Sequence, residues 1–278
     1  MKPVAKAIIY DSSCPMCQAY TKGFVKWGLL ADEHRIAFCE LQPEQARRYL
    51  DLQRSRHEIP LVDLGGGDTL YGVDALTYLL SQRMPSIGKL MQNTLVSKAI
   101  RKFYNFISYN RRVITATASA PQGIDCAPDF RLGYRITFII FASVLAGLIT
   151  WGLGQSARHY LSGLNGLTML LICGTGWLLQ SGAAILLIKS QLRIEYLGQL
   201  AVLMLIGTLV LLPGMAMDAL TGHTCTGWLL GSVVGSSILM HIEHFRRIAY
   251  LNLSQRWLAF WSVALWTTAC FWLYIFAS

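Results

Sequence analysis

The chain has 278 residues, 54% of them hydrophobic and only 14% charged, with a formal net charge of +9. A soluble domain carries roughly 25% charge, and a disordered chain lacks this much apolar and aromatic content. Seven cysteines in this length are too sparse for a secreted disulfide scaffold. The charge is unevenly spread. Residues 1–131 hold 17 Lys/Arg and 12 Asp/Glu, whereas residues 132–278 hold 7 and 3. A polar domain is therefore joined to an apolar one. The positive excess flanks apolar runs, which favours a membrane over nucleic acid as its partner.

The opening MKPVAKAIIYDSSC has only four consecutive apolar residues before Asp11. A signal peptide needs about 7–15, so the polar half is expected to stay on the side where it is made. Residues 4–10 read as a buried strand and Asp11–Ser13 as a turn. Cys14-Pro15-Met16-Cys17 opens a helix running to about Leu29. Strands are expected at His34–Leu41, Pro60–Leu64 and Thr69–Tyr71, with a hairpin turn at Gly65–Asp68. Helices are expected at Pro43–Arg56 and Asp74–Arg83, and one or two more over 86–108. This β-α-β-α-β-β-α order, with a cysteine pair at the first helix start, is that of a thioredoxin-like α/β domain. The domain is assigned to 1–112, followed by a linker over 113–131.

A Cys-x-x-Cys at a strand-to-helix junction has a chemical rationale. Free N–H groups and partial positive charge at a helix N-terminus stabilise a thiolate. Cys14 is the expected nucleophile. Cys17, one turn on, can attack the resulting mixed disulfide. Pro15 suits the first turn. Zinc would need a second ligand pair, and covalent haem would need His at position 18, which is Gln18. No cofactor beyond the redox-active disulfide is therefore expected. Ile59-Pro60 precedes a strand, where a cis proline facing the cysteines is expected. Asp11 is open between a proton-handling role and a turn or cap role. The stretch 98–112 interleaves Lys98, Arg101, Lys102, Arg111 and Arg112 with Phe103, Tyr104, Phe106 and Tyr109. It reads either as a lipid-headgroup helix or as a solvated helix packed on its own domain.

Tyr10-Asp11-Ser12-Ser13-Cys14-Pro15-Met16-Cys17 resembles the opening of the DCC (DUF393) family of predicted thiol-disulfide oxidoreductases. Gly72-Val73-Asp74-Ala75, Tyr104 through Asn110-Arg111, and Asp125-Cys126-Ala127-Pro128 resemble its later segments. Ser12 stands where members often have Gly. The resemblance covers about residues 4–130. It implies disulfide exchange with a protein or low-molecular-weight thiol partner, and it names no substrate.

The membrane half, 132–278, is expected to be an all-α bundle of about five spans: 136–153, 164–188, 196–217, 225–240 and 257–276. Loops bearing Arg131 and Arg135, then Lys189 and Arg193, then Arg246, Arg247 and Arg256 alternate with poor loops. That pattern predicts a cytoplasmic N-terminus and an outer C-terminus in a bacterial inner membrane. Gly227, Gly231 and Gly235 predict close helix packing, within the bundle or in a homo-oligomer. Gln180 is expected to face the bundle. Cys126, Cys173 and Cys270 are possible accessory thiols. Met215, Met217, His223 and Cys225, with His241 and His244, are weak metal candidates. The expected function is a membrane-anchored, cytoplasm-facing thiol-disulfide oxidoreductase. A reducing compartment favours the dithiol and reduction of targets. The alternative is a transporter, metal-handling or electron-transfer bundle with a thiol-based regulatory domain.

Overall fold

The computed structural model describes residues 6–118 and 126–277. Residues 4–5 of the expected first strand, and 119–125 of the expected linker with Asp125, lie outside the described residues. The chain divides into two compact units, Met1–Tyr134 and Arg135–Ser278.

The N-terminal unit is built on β1 (Lys6–Tyr10), β2 (Arg35–Ala37), β3 (Pro60–Asp63) and β4 (Leu70–Tyr71). The sheet order is β2-β1-β3-β4. β1 runs parallel to β2, pairing Ile9 with Ile36, and antiparallel to β3, pairing Ile8 with Leu61. This is the thioredoxin-like arrangement expected from the element order. Alternation along the strands sorts side chains between two faces. Ile8 and Leu61 pack with Phe24, Ile59, Ala75 and Leu79, whereas Ile9 and Val62 pack with Phe38, Ala46, Leu50 and Cys126.

The helices are α1 (Pro15–Lys26), α2 (Pro43–Tyr49), α3 (Leu52–Ser55), α4 (Gly72–Ser81), α5 (Pro85–Gln92) and α6 (Thr94–Thr115). The single helix expected over 43–56 is broken. Asp51 caps α3, its Oδ1 accepting from the Arg54 N–H at 3.0 Å. Its own N–H donates to the Tyr71 hydroxyl at 2.8 Å. Side-chain capping here displaces helix continuation.

The C-terminal unit contains α7 (Leu132–Ala157), α8 (Gly166–Leu187), α9 (Ser190–Leu220), α10 (Gly227–Tyr250) and α11 (Arg256–Ala277). Four of these, all but α10, are long and apolar enough to cross a membrane. α10 is long enough at 24 residues, but His241, Glu243, His244, Arg246 and Arg247 lower its hydropathy. The chain is accordingly a membrane protein with an N-terminal α/β domain. α9 and α10 pack closely. A Cβ added at Gly214 would collide with the Ser232 side chain, and Ser236 Oγ donates to the Gly207 carbonyl at 2.8 Å. Within the bundle, the α10 side of this contact is made by Ser232 and Ser236 rather than by Gly231 and Gly235. Among the described residues, no neighbouring group lies within 4 Å of a Cβ built at Gly231 or Gly235; on α9 the close approach is at Gly207 and Gly214.

Candidate active site

Cys14 is the N-cap of α1, in extended backbone, with Pro15 in the first turn. The position follows from the sequence: β1 must end at a turn, and proline can begin a helix without sacrificing a needed N–H. Asp11 fixes that turn. Its Oδ1 accepts from the Ser13 N–H at 3.0 Å and the Ser13 hydroxyl at 2.6 Å. The Cys14 N–H donates to the Asp11 carbonyl at 3.2 Å.

Both cysteines are buried, Cys14 at 0% exposure and Cys17 at 4%. Cys14 is lowered from the ordinary thiol range to about 6. The leading cause is a hydrogen bond from the Cys17 thiol. Burial opposes it, while the Cys17 backbone N–H and the Arg111 charge assist it. Asp11 pushes weakly the other way. Cys17 moves up, because it supplies that hydrogen bond and is itself buried. The pair is thus polarised into a ready thiolate and a held proton. The Tyr20 hydroxyl, one turn along α1, hydrogen-bonds Cys17, and burial raises Tyr20 well above its usual range.

The surrounding charge comes from α6. Arg112 Nη2 donates to Asp11 Oδ2 at 2.7 Å and to Ser13 Oγ at 3.1 Å. Arg112 Nη1 donates to the carbonyls of Thr117 and Ala118. Arg111 Nη2 lies 3.8 Å from Asp11 Oδ2 and donates to the Cys126 carbonyl. Both arginines are buried, each 7% exposed. This corrects the lipid-headgroup reading for these two residues: they turn inward and neutralise the buried Asp11. Lys98, Arg101, Lys102 and Phe103, earlier on the same helix, remain exposed.

Residues 8–117 match the family model described as DCC1-like thiol-disulfide oxidoreductase. The N-terminal unit is a DCC1-like oxidoreductase domain. No curated protein and no solved structure matches the chain.

Within the DCC1-like domain, the weaker motifs have structural work to do. Gly72 adopts φ +52, and a Cβ there would sit 3.1 Å from Glu58 Cγ and 3.2 Å from Tyr104 Cε1. The Tyr104 hydroxyl accepts from the Ile59 N–H at 3.0 Å, and burial pushes it up to about 12. Asn110 Nδ2 donates to the carbonyls of Phe106 and Tyr134, at 2.9 and 3.1 Å. Asp74 pairs with Arg101 on the exposed side.

Pro60 departs from expectation. No cis peptide bond is found among the described residues. Pro60 is buried at the start of the interior strand β3, opposite Tyr71. Being first in the strand, its missing N–H interrupts no ladder.

Cys126 packs as a small hydrophobe beside Ile9 and Val62. Cys173 and Cys270 lie on α8 and α11, and both are exposed. Cys39, which sequence reading passed over, is exposed, with its sulfur 3.3 Å from Ser12 Oγ. Its signal was β2 running parallel beside β1.

Among the described residues, no three His, Cys, Asp or Glu side chains could hold a metal ion together. Met215 packs near Leu153, Leu211 and Leu229, while Met217 and Cys225 are exposed. His223 Nδ1 pairs with the buried Asp218 at 2.7 Å, and its ring stacks on His159. His241 bonds Ser262 Oγ at 3.1 Å, and His244 bonds the Tyr196 hydroxyl at 3.1 Å. Gln180 is fully buried and also donates to Tyr196.

Proposed function

We propose that the chain is a membrane-anchored thiol-disulfide oxidoreductase in which Cys14 attacks and Cys17 resolves. The polarised pair carries this reading: a buried sulfur at a helix N-terminus, lowered to about 6 by Cys17 and assisted by Arg111. The Cys14 thiolate attacks one sulfur of a partner disulfide, and the other sulfur leaves as a thiolate. In the mixed disulfide Cys14 carries no charge. The hydrogen bond that held the Cys17 proton is then gone, so Cys17 ionises more readily. It attacks Cys14, closes the intramolecular disulfide and releases the reduced partner. The reverse sequence oxidises a partner.

The bundle anchors the domain in the bilayer. Basic residues flanking the apolar helices support a cytoplasmic N-terminus and a bacterial inner membrane. The same rule supports α10 as a fifth span, placing the C-terminus outside. Its 24 residues, at about 1.5 Å each, exceed the roughly 30 Å hydrocarbon core.

Disulfide exchange with glutathione disulfide tests the reading in the full-length protein. Cys14→Ser abolishes exchange. Cys17→Ser forms the first mixed disulfide and stops there. Exchange persisting in Cys14→Ser removes Cys14 as the nucleophile.

One observation favours a second reading, in which the bundle has its own activity. Tyr196, Gln199, Gln180, His244 and Arg247 are all buried at 0–1% exposure. Among the described residues, Gln180 Oε1, Gln199 Nε2 and His244 Nδ1 have no hydrogen-bond partner. Polar groups at such depth mark substrate or proton pathways.

A further inference from the structure

A cavity of about 380 Å³ opens beside the cysteine pair. α1, α4, α5 and α6 all contribute to its wall. The wall is almost entirely apolar: Phe24, Leu76, Leu80, Ile87, Ile107 and others. Cys17, Ser108 and Arg111 also line it. Arg111 is 7% exposed, and its Nε has no hydrogen-bond partner among the described residues. A buried guanidinium donor left open costs free energy unless something fills the site. The volume falls in the range of small-molecule pockets, about 300–1,000 Å³, which pair an apolar wall with a few polar groups.

We propose that this cavity binds a lipophilic quinone, which takes the two electrons of the Cys14–Cys17 dithiol. The proposal rests on the thiol-disulfide reading and names the electron acceptor of the same site.

Four observations converge on this occupant. Cys14 has no exposed surface, whereas Cys17 lines the cavity wall. The apolar wall selects a lipophilic solute. The membrane-capable helices tether the same chain to a membrane, the compartment that holds lipophilic quinones. Arg111 supplies positive charge where a hydroquinone anion develops. A dithiol stabilised as its thiolate forms an oxidising disulfide, so its re-oxidation calls for a strong acceptor, which a quinone is.

The step balances. The Cys14 thiolate draws the Cys17 proton across their shared hydrogen bond as the Cys17 sulfur adds to a ring carbon of the quinone; that proton passes on to a quinone oxygen, which leaves Cys14 a thiolate again. The Cys14 thiolate then attacks the Cys17 sulfur, the sulfur–carbon bond breaks, and its electron pair leaves with the ring as the hydroquinone anion. One proton from water completes the hydroquinone. Two thiol sulfurs have lost two electrons to form one disulfide.

The experiment uses pre-reduced full-length protein in lipid nanodiscs. It is mixed with ubiquinone-1 and, separately, with glutathione disulfide. One quinone is reduced per Cys14–Cys17 disulfide formed. Thr77→Trp on α4 and Ile100→Trp on α6 both intrude on the cavity. Each lowers the ratio of quinone rate to glutathione-disulfide rate at least tenfold. Ile100 is partly exposed at 37%, so its replacement does not depend on core repacking. Wild type that exchanges with glutathione disulfide yet leaves quinone untouched overturns this inference alone. Protein inert to both overturns the exchange reading beneath it. An unchanged ratio in both variants also overturns the proposal. So does selective slowing with cysteine peptides bearing an apolar neighbour, because the cavity would then serve a client side chain.

Discussion

At the residue scale, reactivity depends on how the two sulfurs share one proton. Cys14 titrates near 6, so it is largely thiolate at pH 7. Its alkylation rate climbs through pH 6 and is flat by pH 7.5, whereas an ordinary thiol near 8.5 is still climbing at pH 8. The causes rank, and the variants should rank with them. Cys17→Ala raises the midpoint most, Arg111→Met raises it less, and Asp11→Asn lowers it slightly. Rate against pH for each variant checks the order, and a larger shift from Arg111→Met than from Cys17→Ala contradicts it. Because the thiolate is favoured, the reduced form is stabilised. The redox potential should then lie between about −270 mV, seen with a thiol pKa near 7, and about −120 mV, seen with one near 3.5. Equilibration with glutathione buffers reads it directly. The burial of Cys14 adds a steric expectation: methyl methanethiosulfonate modifies it faster than a bulky maleimide at the same pH.

At the element scale, α6 is the piece that the sequence conceals. The Cys-x-x-Cys and the element order along the chain are legible because they are local: apolar runs, turn residues and a helix start. Arg111 and Arg112 are read wrongly because a basic, aromatic helix looks like a surface. Only the fold brings Arg112 to Asp11, 101 positions away. The α10 glycines show the same limit within the bundle. Spacing alone does not say which face meets a neighbour, and the contact uses Gly207 and Gly214 of α9 instead. Two substitutions probe this scale by chemical denaturation of the purified protein. Arg112→Ala leaves Asp11 buried with its closest cation gone and costs about 3–5 kcal/mol. Gly72→Ala forces a Cβ into left-handed backbone, at about 1–2 kcal/mol, and crowds it against Glu58 and Tyr104. A loss below 0.5 kcal/mol in Arg112→Ala contradicts the charge-neutralising role.

At the scale of the whole molecule, a DCC1-like domain is fused to a helical membrane region. The positive-inside pattern predicts that reporters on the N- and C-termini fall on opposite sides of the membrane. Reporters on the same side mean that α10 does not cross. The central claim is chemical, however, and one trapping experiment tests it most directly. Full-length Cys17→Ser is exposed in its membrane to glutathione disulfide, quenched with acid and an alkylating agent, and mapped by mass spectrometry. The account predicts a mixed disulfide on Cys14 in most molecules, with Cys39, Cys126, Cys173, Cys225 and Cys270 left as alkylated thiols. An unmodified Cys14, or an adduct carried chiefly by another cysteine, contradicts it.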